Sequence, residues 1–194
     1  MSSHRQKRGL LIVISGPSGV GKDTLIKRLL ELDRNLRYSV SCTTRPPRPN
    51  EVDGVDYTFL TREQFQELID KGAFLEYATY NGNLYGTLAE RVERARADGH
   101  DIVLKIEVQG AEQVRRRLPD AIFIFVVPPS VDELVRRQVQ RNTETSSDMS
   151  ARREIATREM EYSKRYDHVV VNDELERAVA QILAIIRNAR ESQT

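Results

Sequence analysis

A chain of 194 residues, 39% hydrophobic and 30% charged, is long enough to bury a full core within one domain. A formal net charge of +1 argues against a strongly basic nucleic-acid binder, and a single cysteine, Cys42, excludes an internal disulfide and suits a reducing cytoplasm. The apolar run Gly9-Leu-Leu-Ile-Val-Ile14 is too short to span a membrane and lacks a small-residue cleavage site, so neither membrane attachment nor export is expected.

Taken in chain order, residues 10–15 form a continuous apolar run, the pattern of a strand covered on both faces. A glycine-rich turn, Gly16-Pro-Ser-Gly-Val-Gly21, follows. A helix is then predicted over 22–32, with Leu25, Leu29 and Leu32 on its inner face. Residues 37–43 alternate like one strand, which the prolines at 46, 47 and 49 end. A short strand is expected at 56–60. Thr61-Arg-Glu-Gln64 has the spacing of a capping box, so a helix starts there and Gly72 stops it. Residues 73–85, with Asn81-Gly82, predict a hairpin. Thr87-Leu-Ala-Glu90 has the spacing of a second capping box, opening a helix to about 98.

Beyond this point strands are predicted at 102–106, 121–127 and 169–171. Helices are predicted at 110–117, after a third capping box at Ser130-Val-Asp-Glu133, at 151–164, and at 174–190 with Leu175, Val179, Ile182 and Ile186 in register. The polar stretch 141–150 has no apolar run. Arg115-Arg-Arg117 reads as a solvated helix end. The alternation of strand and helix predicts an α/β fold with a parallel sheet core, and the hairpin-like segment 41–97 reads as an insertion.

Gly16-Pro-Ser-Gly-Val-Gly21-Lys22 has the spacing G-x-x-x-x-G-K between a predicted strand and helix. The glycines let successive N–H groups turn toward one phosphate, the helix N-terminus adds its dipole, and Lys22 reaches the β- and γ-phosphates of a nucleoside triphosphate. The hydroxyl residue that commonly follows the lysine is displaced: Asp23 stands there and Thr24 comes next. Thr24 and Asp23 are the candidate Mg²⁺ contacts. Capping of the helix N–H groups is the simpler role for Asp23.

A phosphate loop does not name the acceptor; the insertion carries that information. Arg45 and Arg48 lie three apart among stiffening prolines, and guanidinium forks suit phosphate oxygens. Tyr57, Glu76, Tyr85 and Thr87 follow. A carboxylate accepts guanine N1–H and N2–H together, whereas adenine presents a lone pair and an amino donor at that edge.

In these stretches the sequence resembles the guanylate kinase family. The matching segments are Gly16–Lys22, Ser39–Arg48, Glu51–Tyr57, Glu76, Gly82–Thr87, Val108-Gln-Gly110, Pro128-Pro-Ser130 and Val171-Asn-Asp173. The resemblance implies a three-layer fold like that of the P-loop nucleoside triphosphate hydrolases. It would form a single domain over 9–194, with a core of 9–40, 98–133 and 165–194, a GMP-binding subdomain at 41–97 and a lid at 134–164. It implies transfer of the γ-phosphoryl of ATP to GMP, and to dGMP, with Mg²⁺, by a cytoplasmic monomer or homodimer with no nucleic-acid or membrane partner.

Residue by residue, the resemblance puts Gly16, Pro17, Ser18, Gly19, Val20, Gly21, Lys22, Asp23, Thr24, Arg137 and Arg141 at ATP. It puts Ser41, Arg45, Arg48, Tyr57, Glu76, Tyr85, Thr87 and Glu107 at GMP. Lys22, Arg45, Arg137 and Arg152 become the catalytic cations. Two positions depart from the family's acid–aliphatic–acid pattern before Val108. Glu107 keeps a carboxylate on a longer stem. Lys105 reverses the charge and either binds phosphate, pairs with Glu107 or forms a surface pair. Two other readings stay open: a ribose bisphosphate kinase on the same scaffold, and a non-catalytic interaction module. The guanine-directed residues disfavour the first and the intact phosphate loop disfavours the second.

Overall fold

The computed structural model describes residues 7–141 and 149–193, the side chains of 140, 141, 149–152 and 155 excepted. The chain divides into two compact units, one of residues 1–11 and 35–121, the other of 12–34 and 122–194.

In the second unit, β1 (Leu11–Ser15) is buried at every position and runs parallel to β8 (Ile122–Val127), pairing Ile12 with Ile122 and Ser15 with Phe125. Strand β9 (His168–Val171) continues the parallel set on the other side of β8. Strand β1 is apolar from Leu11 to Ile14 and β8 is apolar throughout, as two-sided burial requires. Helix α1 (Lys22–Leu32) buries Leu25, Ile26 and Leu29. Leu32, expected on that face, is 49% exposed, because the helix ends there and Asp33 is already extended. Helix α7 (Leu175–Ser192) buries Ala178, Val179, Ile182 and Ile186. It is tied to α1 by Arg28–Glu176 and to the end of α1 by Arg190–Asp33. Helices α5 (Val131–Arg141) and α6 (Met149–Glu161) and a short 3-10 turn (Tyr162–Arg165) complete this unit. Ser130 Oγ caps α5 by accepting from the Glu133 N–H at 3.1 Å, half of the expected capping box.

In the first unit, β2 (Leu36–Tyr38) pairs in parallel with β7 (Asp101–Lys105). Strands β3 (Cys42–Thr43), β4 (Thr58–Phe59), β5 (Phe74–Tyr80) and β6 (Asn83–Leu88) form a separate four-stranded sheet in the order β4-β3-β6-β5. The single strand predicted over 37–43 is therefore two strands in different sheets. Local alternation is satisfied by both halves and does not register the break between them.

The hairpin is as expected. Asn81 and Gly82 both take positive φ, 47° and 75°, the conformation a two-residue connection between twisted strands requires. Helix α2 (Arg62–Asp70) starts at a complete capping box from Thr61 to Gln64. Its Phe65 stacks on Phe74 at 4.4 Å between centroids, and together with Cys42 they form a small core under the sheet. Gly86 makes room for both rings, since a Cβ there would lie 2.8 Å from Phe74 and 3.0 Å from Phe65. Burial pushes the Cys42 thiol up, and the side chain packs as a small apolar group.

Helices α3 (Ala89–Ala97) and α4 (Val108–Arg117) complete this unit. The capping box expected at Thr87 does not form: Leu88 is the N-cap and, among the described residues, no side chain caps the helix.

Arg96 is 2% exposed. Its Nε donates to the Gly9 carbonyl at 2.9 Å and its Nη2 to Asp120 at 2.7 Å, while Gly9 N–H returns a bond to the Arg96 carbonyl. Arg96→Ala would leave a void and unpaired polar groups. It should destabilise the fold by about 2–4 kcal/mol in urea unfolding, whereas Arg94→Ala, at an exposed ion pair, should stay within about 0.5 kcal/mol.

Candidate active site

The loop from Gly16 to Gly21 links β1 to α1. Gly16, Gly19 and Gly21 hold φ of 153°, 85° and 96°, and Gly21 is the N-cap of α1. Side chains are excluded for steric reasons too. A Cβ on Gly16 would lie 2.3 Å from the Val126 carbonyl oxygen, and one on Gly21 2.7 Å from Asn172 Nδ2. Lys22 Nζ folds back over the loop, donating to the carbonyls of Gly16 and of Pro17, the latter at 3.0 Å. The loop thus positions its own ammonium group at the start of a helix, where N–H groups and dipole favour an anion.

A cavity of about 350 Å³ opens beside the loop, lined by Gly19, Gly21, Thr24, Arg137, Asn172, Asp173 and Leu175. Arg137 is held there by Glu133 at 2.8 Å and by the Asn172 carbonyl at 3.3 Å. Asn172, buried, donates from Nδ2 to the Val20 carbonyl at 2.8 Å and so anchors the loop from 152 positions away. Gln138 adds a bond to the Ser18 carbonyl at 2.7 Å. Thr24 borders the cavity, and Asp23 stands in the first turn of α1. Asn172, Asp173 and Leu175 escaped the residue-by-residue assignment, although Asn172 and Asp173 lie in a matched motif. Leu175, expected in the core stripe of α7, faces this cavity instead. Arg141 and Arg152 have side chains outside the described residues.

The second set of predicted residues gathers in the other unit. Glu76, on β5, is 4% exposed. Its Oε1 accepts from Thr87 Oγ1 at 2.6 Å. A Cβ on Gly110 of α4 would lie 2.3 Å from its Oε2, so the carboxylate occupies space that only glycine leaves open. Burial pushes the Glu76 carboxyl up to about 7, and the hydrogen bonds from the Thr87 hydroxyl and backbone offset only part of that penalty. Thr87 spends its hydroxyl here rather than on a helix cap.

Arg45 donates from Nη2 to both oxygens of Glu51, at 2.8 and 2.9 Å, and Glu51 also accepts from the Arg48 N–H at 2.7 Å. Glu51, which sequence reasoning did not single out, therefore organises the arginine loop. The Arg45 guanidinium lies 5.5 Å from the Tyr57 ring centroid, and Tyr57 meets Tyr85 edge-on at 6.0 Å. Lys105 Nζ lies 5.8 Å from the same Tyr57 ring. The charge reversal at Lys105 thus puts a second cation near the Tyr57 ring, whose other neighbours are the Arg45 guanidinium and Tyr85. Ser41 is buried nearby in sequence, accepting Thr58 N–H at its carbonyl. Arg48 is exposed. Glu107 is the exposed N-cap of α4 and makes no side-chain cap bond.

Among the described residues no cluster of three or more His, Cys, Asp or Glu side chains could hold a metal ion. No described helix is long and apolar enough to cross a membrane.

The chain is similar to known proteins over most of its length. The family model described as guanylate kinase matches residues 8–189. A guanylate kinase of Halalkalibacterium halodurans is 52% identical over 181 residues, covering 93% of this chain and 89% of its own length. One of Desulfitobacterium hafniense is 51% identical over 181 residues, covering 93% and 90%. The crystal structure of guanylate kinase from Anaplasma phagocytophilum superimposes with a TM-score of 0.78 at 34% identity, covering 94% of this chain and 87% of that one. With the family model matching residues 8–189 and curated relatives 51–52% identical over 93% of its length, this chain belongs to the guanylate kinase family.

Proposed function

We infer that the chain is an ATP:GMP phosphotransferase, forming GDP and ADP from GMP and ATP. The observation that carries the choice of acceptor is the buried Glu76–Thr87 pair: a carboxylate with one oxygen held by a hydroxyl is matched to the donor edge of guanine. In this reading Ser41, Thr87 and Glu76 hold the base, with Glu107 as a second carboxylate. Arg45, Arg48, Tyr57 and Tyr85 hold the GMP phosphate. The loop 16–21, Lys22, Asp23, Thr24, Arg137 and Arg141 hold ATP.

An oxygen of the GMP phosphate attacks the γ-phosphorus in line, and the bond from that phosphorus to the β-phosphate oxygen breaks, releasing ADP. The attacking oxygen is already ionised, so the protein supplies alignment and charge neutralisation rather than a base. Lys22, Arg45, Arg137 and Arg152 carry that neutralisation. Segments 41–97 and 134–164 serve as acceptor subdomain and lid, excluding water that would hydrolyse ATP.

We assign Mg²⁺ to the same site. The Thr24 hydroxyl at the cavity and the Asp23 carboxylate in the first turn of α1 are oxygen donors of the kind this ion takes alongside nucleotide phosphates. When bound, it would withdraw charge from the β- and γ-phosphates. The enzyme is read as cytoplasmic, a monomer or homodimer that returns GMP to the nucleotide pool.

Supplying ATP and Mg²⁺ with GMP, dGMP, AMP, UMP or ribose 1,5-bisphosphate, and measuring ADP, tests this reading. GMP and dGMP should turn over, with GMP preferred to AMP by about 10⁴-fold in kcat/KM. Turnover of the bisphosphate in place of GMP, or of none of the five, would overturn it.

A further inference from the structure

Strand β5 is the end strand of its sheet, so among the described residues its outer backbone edge has no strand partner. Helix α4 covers that edge with side chains from one face. Gly110, Gln113 and Arg117 are spaced three and four apart, which aligns them along the helix. Gln113 Nε2 donates to the Tyr77 carbonyl at 2.7 Å, and its Oε1 accepts the Tyr77 N–H at 3.2 Å. One side-chain amide thereby reproduces both bonds of a neighbouring strand residue.

Arg117 contributes the second anchor, contrary to its expected place at a solvated helix end. Its Nη1 donates to the carbonyls of both Phe74, at 2.6 Å, and Leu75, at 2.9 Å. Successive carbonyls of a regular strand point to opposite edges. One nitrogen reaches both because the register of β5 against β6 shifts between Phe74 and Glu76. The shift marks a bulge, a device that re-aims the side chain that follows it. That side chain is Glu76, paired across the sheet with Thr87, with its other carboxylate oxygen against Gly110.

Helix α4 therefore grips β5 on both sides of the buried carboxylate, at residues 74–75 and at residue 77, and leaves room for it at 110. We propose that Gln113 and Arg117 are positioning residues that hold the bulge and thereby set the base specificity of the acceptor site. The proposal rests on the reading of Glu76 as the carboxylate that receives guanine. A cover for an exposed strand edge would need only hydrogen bonds along the strand. Here the anchors flank one functional side chain and take up the irregularity that aims it.

The test compares GMP with IMP, the analogue lacking the 2-amino group, in Gln113→Ala, Arg117→Met and Arg117→Lys. The GMP/IMP ratio of kcat/KM reports whether the carboxylate still meets both guanine donors. It is unchanged by a simple loss of folded protein, which scales both substrates alike. Gln113→Ala and Arg117→Met should raise KM for GMP about tenfold or more and lower the GMP/IMP ratio, with KM for ATP within about twofold of wild type. Arg117→Lys, which keeps a cationic donor, should recover most of the ratio. The proposal is overturned if the ratio is held in the folded variants, or if KM for GMP and ATP rise together. Should Arg117→Met fail to fold, Gln113→Ala and Arg117→Lys decide the question. A wild-type enzyme that prefers AMP to GMP would overturn the reading of the acceptor instead, a distinct outcome seen before any variant is made.

Discussion

Glu76→Gln should lower kcat/KM for GMP by about 10²–10⁴, since two hydrogen bonds to a charged acceptor are lost at about 1.5–3 kcal/mol each. The amide also presents a donor where guanine presents donors. KM for ATP should change little, because the ATP-directed loop belongs to the other unit. A kcat/KM for GMP within about threefold of wild type would sink the assignment.

The same residue carries a pH signature with a defined sign. The Glu76 carboxyl lies at about 7 in the folded protein against an ordinary value of 4.5. Between those values the native state holds a proton that the unfolded chain has released. Stability therefore falls as pH rises from about 4.5 and levels off above about 7, a loss on the order of 3 kcal/mol at about 1.4 kcal/mol per tenfold. In Glu76→Gln this contribution is absent, so the variant should gain on wild type between pH 5 and 8 in urea unfolding. With Glu76 as the proposed guanine-binding carboxylate, binding of GMP would need its ionised form, so affinity for GMP should rise from pH 6 to 8 in wild type. The phosphate of GMP also ionises near pH 6, at about the value of other phosphate monoesters, and the Gln variant isolates that contribution. Parallel pH profiles in the two proteins would show that Glu76 does not titrate in this range.

Lys22→Met should lower kcat by about 10²–10³, corresponding to about 2.7–4 kcal/mol of lost transition-state stabilisation, with little change in KM for GMP. The folded state should survive, because the Lys22 ammonium is bonded to loop carbonyls, while the loop is separately anchored by Asn172 at Val20 and Gln138 at Ser18. Steady-state kinetics with varied ATP and GMP, beside a thermal melt, checks both parts. A kcat retained within about threefold would remove Lys22 from the chemistry.

Features made by near neighbours in the chain were legible in the sequence. The phosphate loop, the Asn81-Gly82 hairpin and the Thr61–Gln64 capping box each close within a few residues. Spacing alone nearly determines which groups meet. The buried strands at 11–15 and 122–127 were legible for a similar reason: two-sided burial leaves an unbroken apolar run. The chemistry of the insertion singled out Glu76, Arg45, Tyr57 and Tyr85, the resemblance assigned them to GMP, and the structure brings the last three together around the Tyr57 ring.

Other features depended on competition that no local spacing records. Thr87 had the spacing of a helix cap, yet its hydroxyl goes to Glu76, eleven positions earlier and across the hairpin. A buried carboxylate is a stronger acceptor, and costlier to leave unpaired, than an N–H at a partly exposed helix start. Arg117 had the look of a solvated charge and is instead anchored to two carbonyls of β5. Asn172 reaches a loop 152 positions away. By itself the sequence determined a phosphate-binding loop, an α/β alternation and a set of guanine-directed residue types. The tertiary structure decided which polar groups satisfy one another, because that choice depends on which of them are removed from water together.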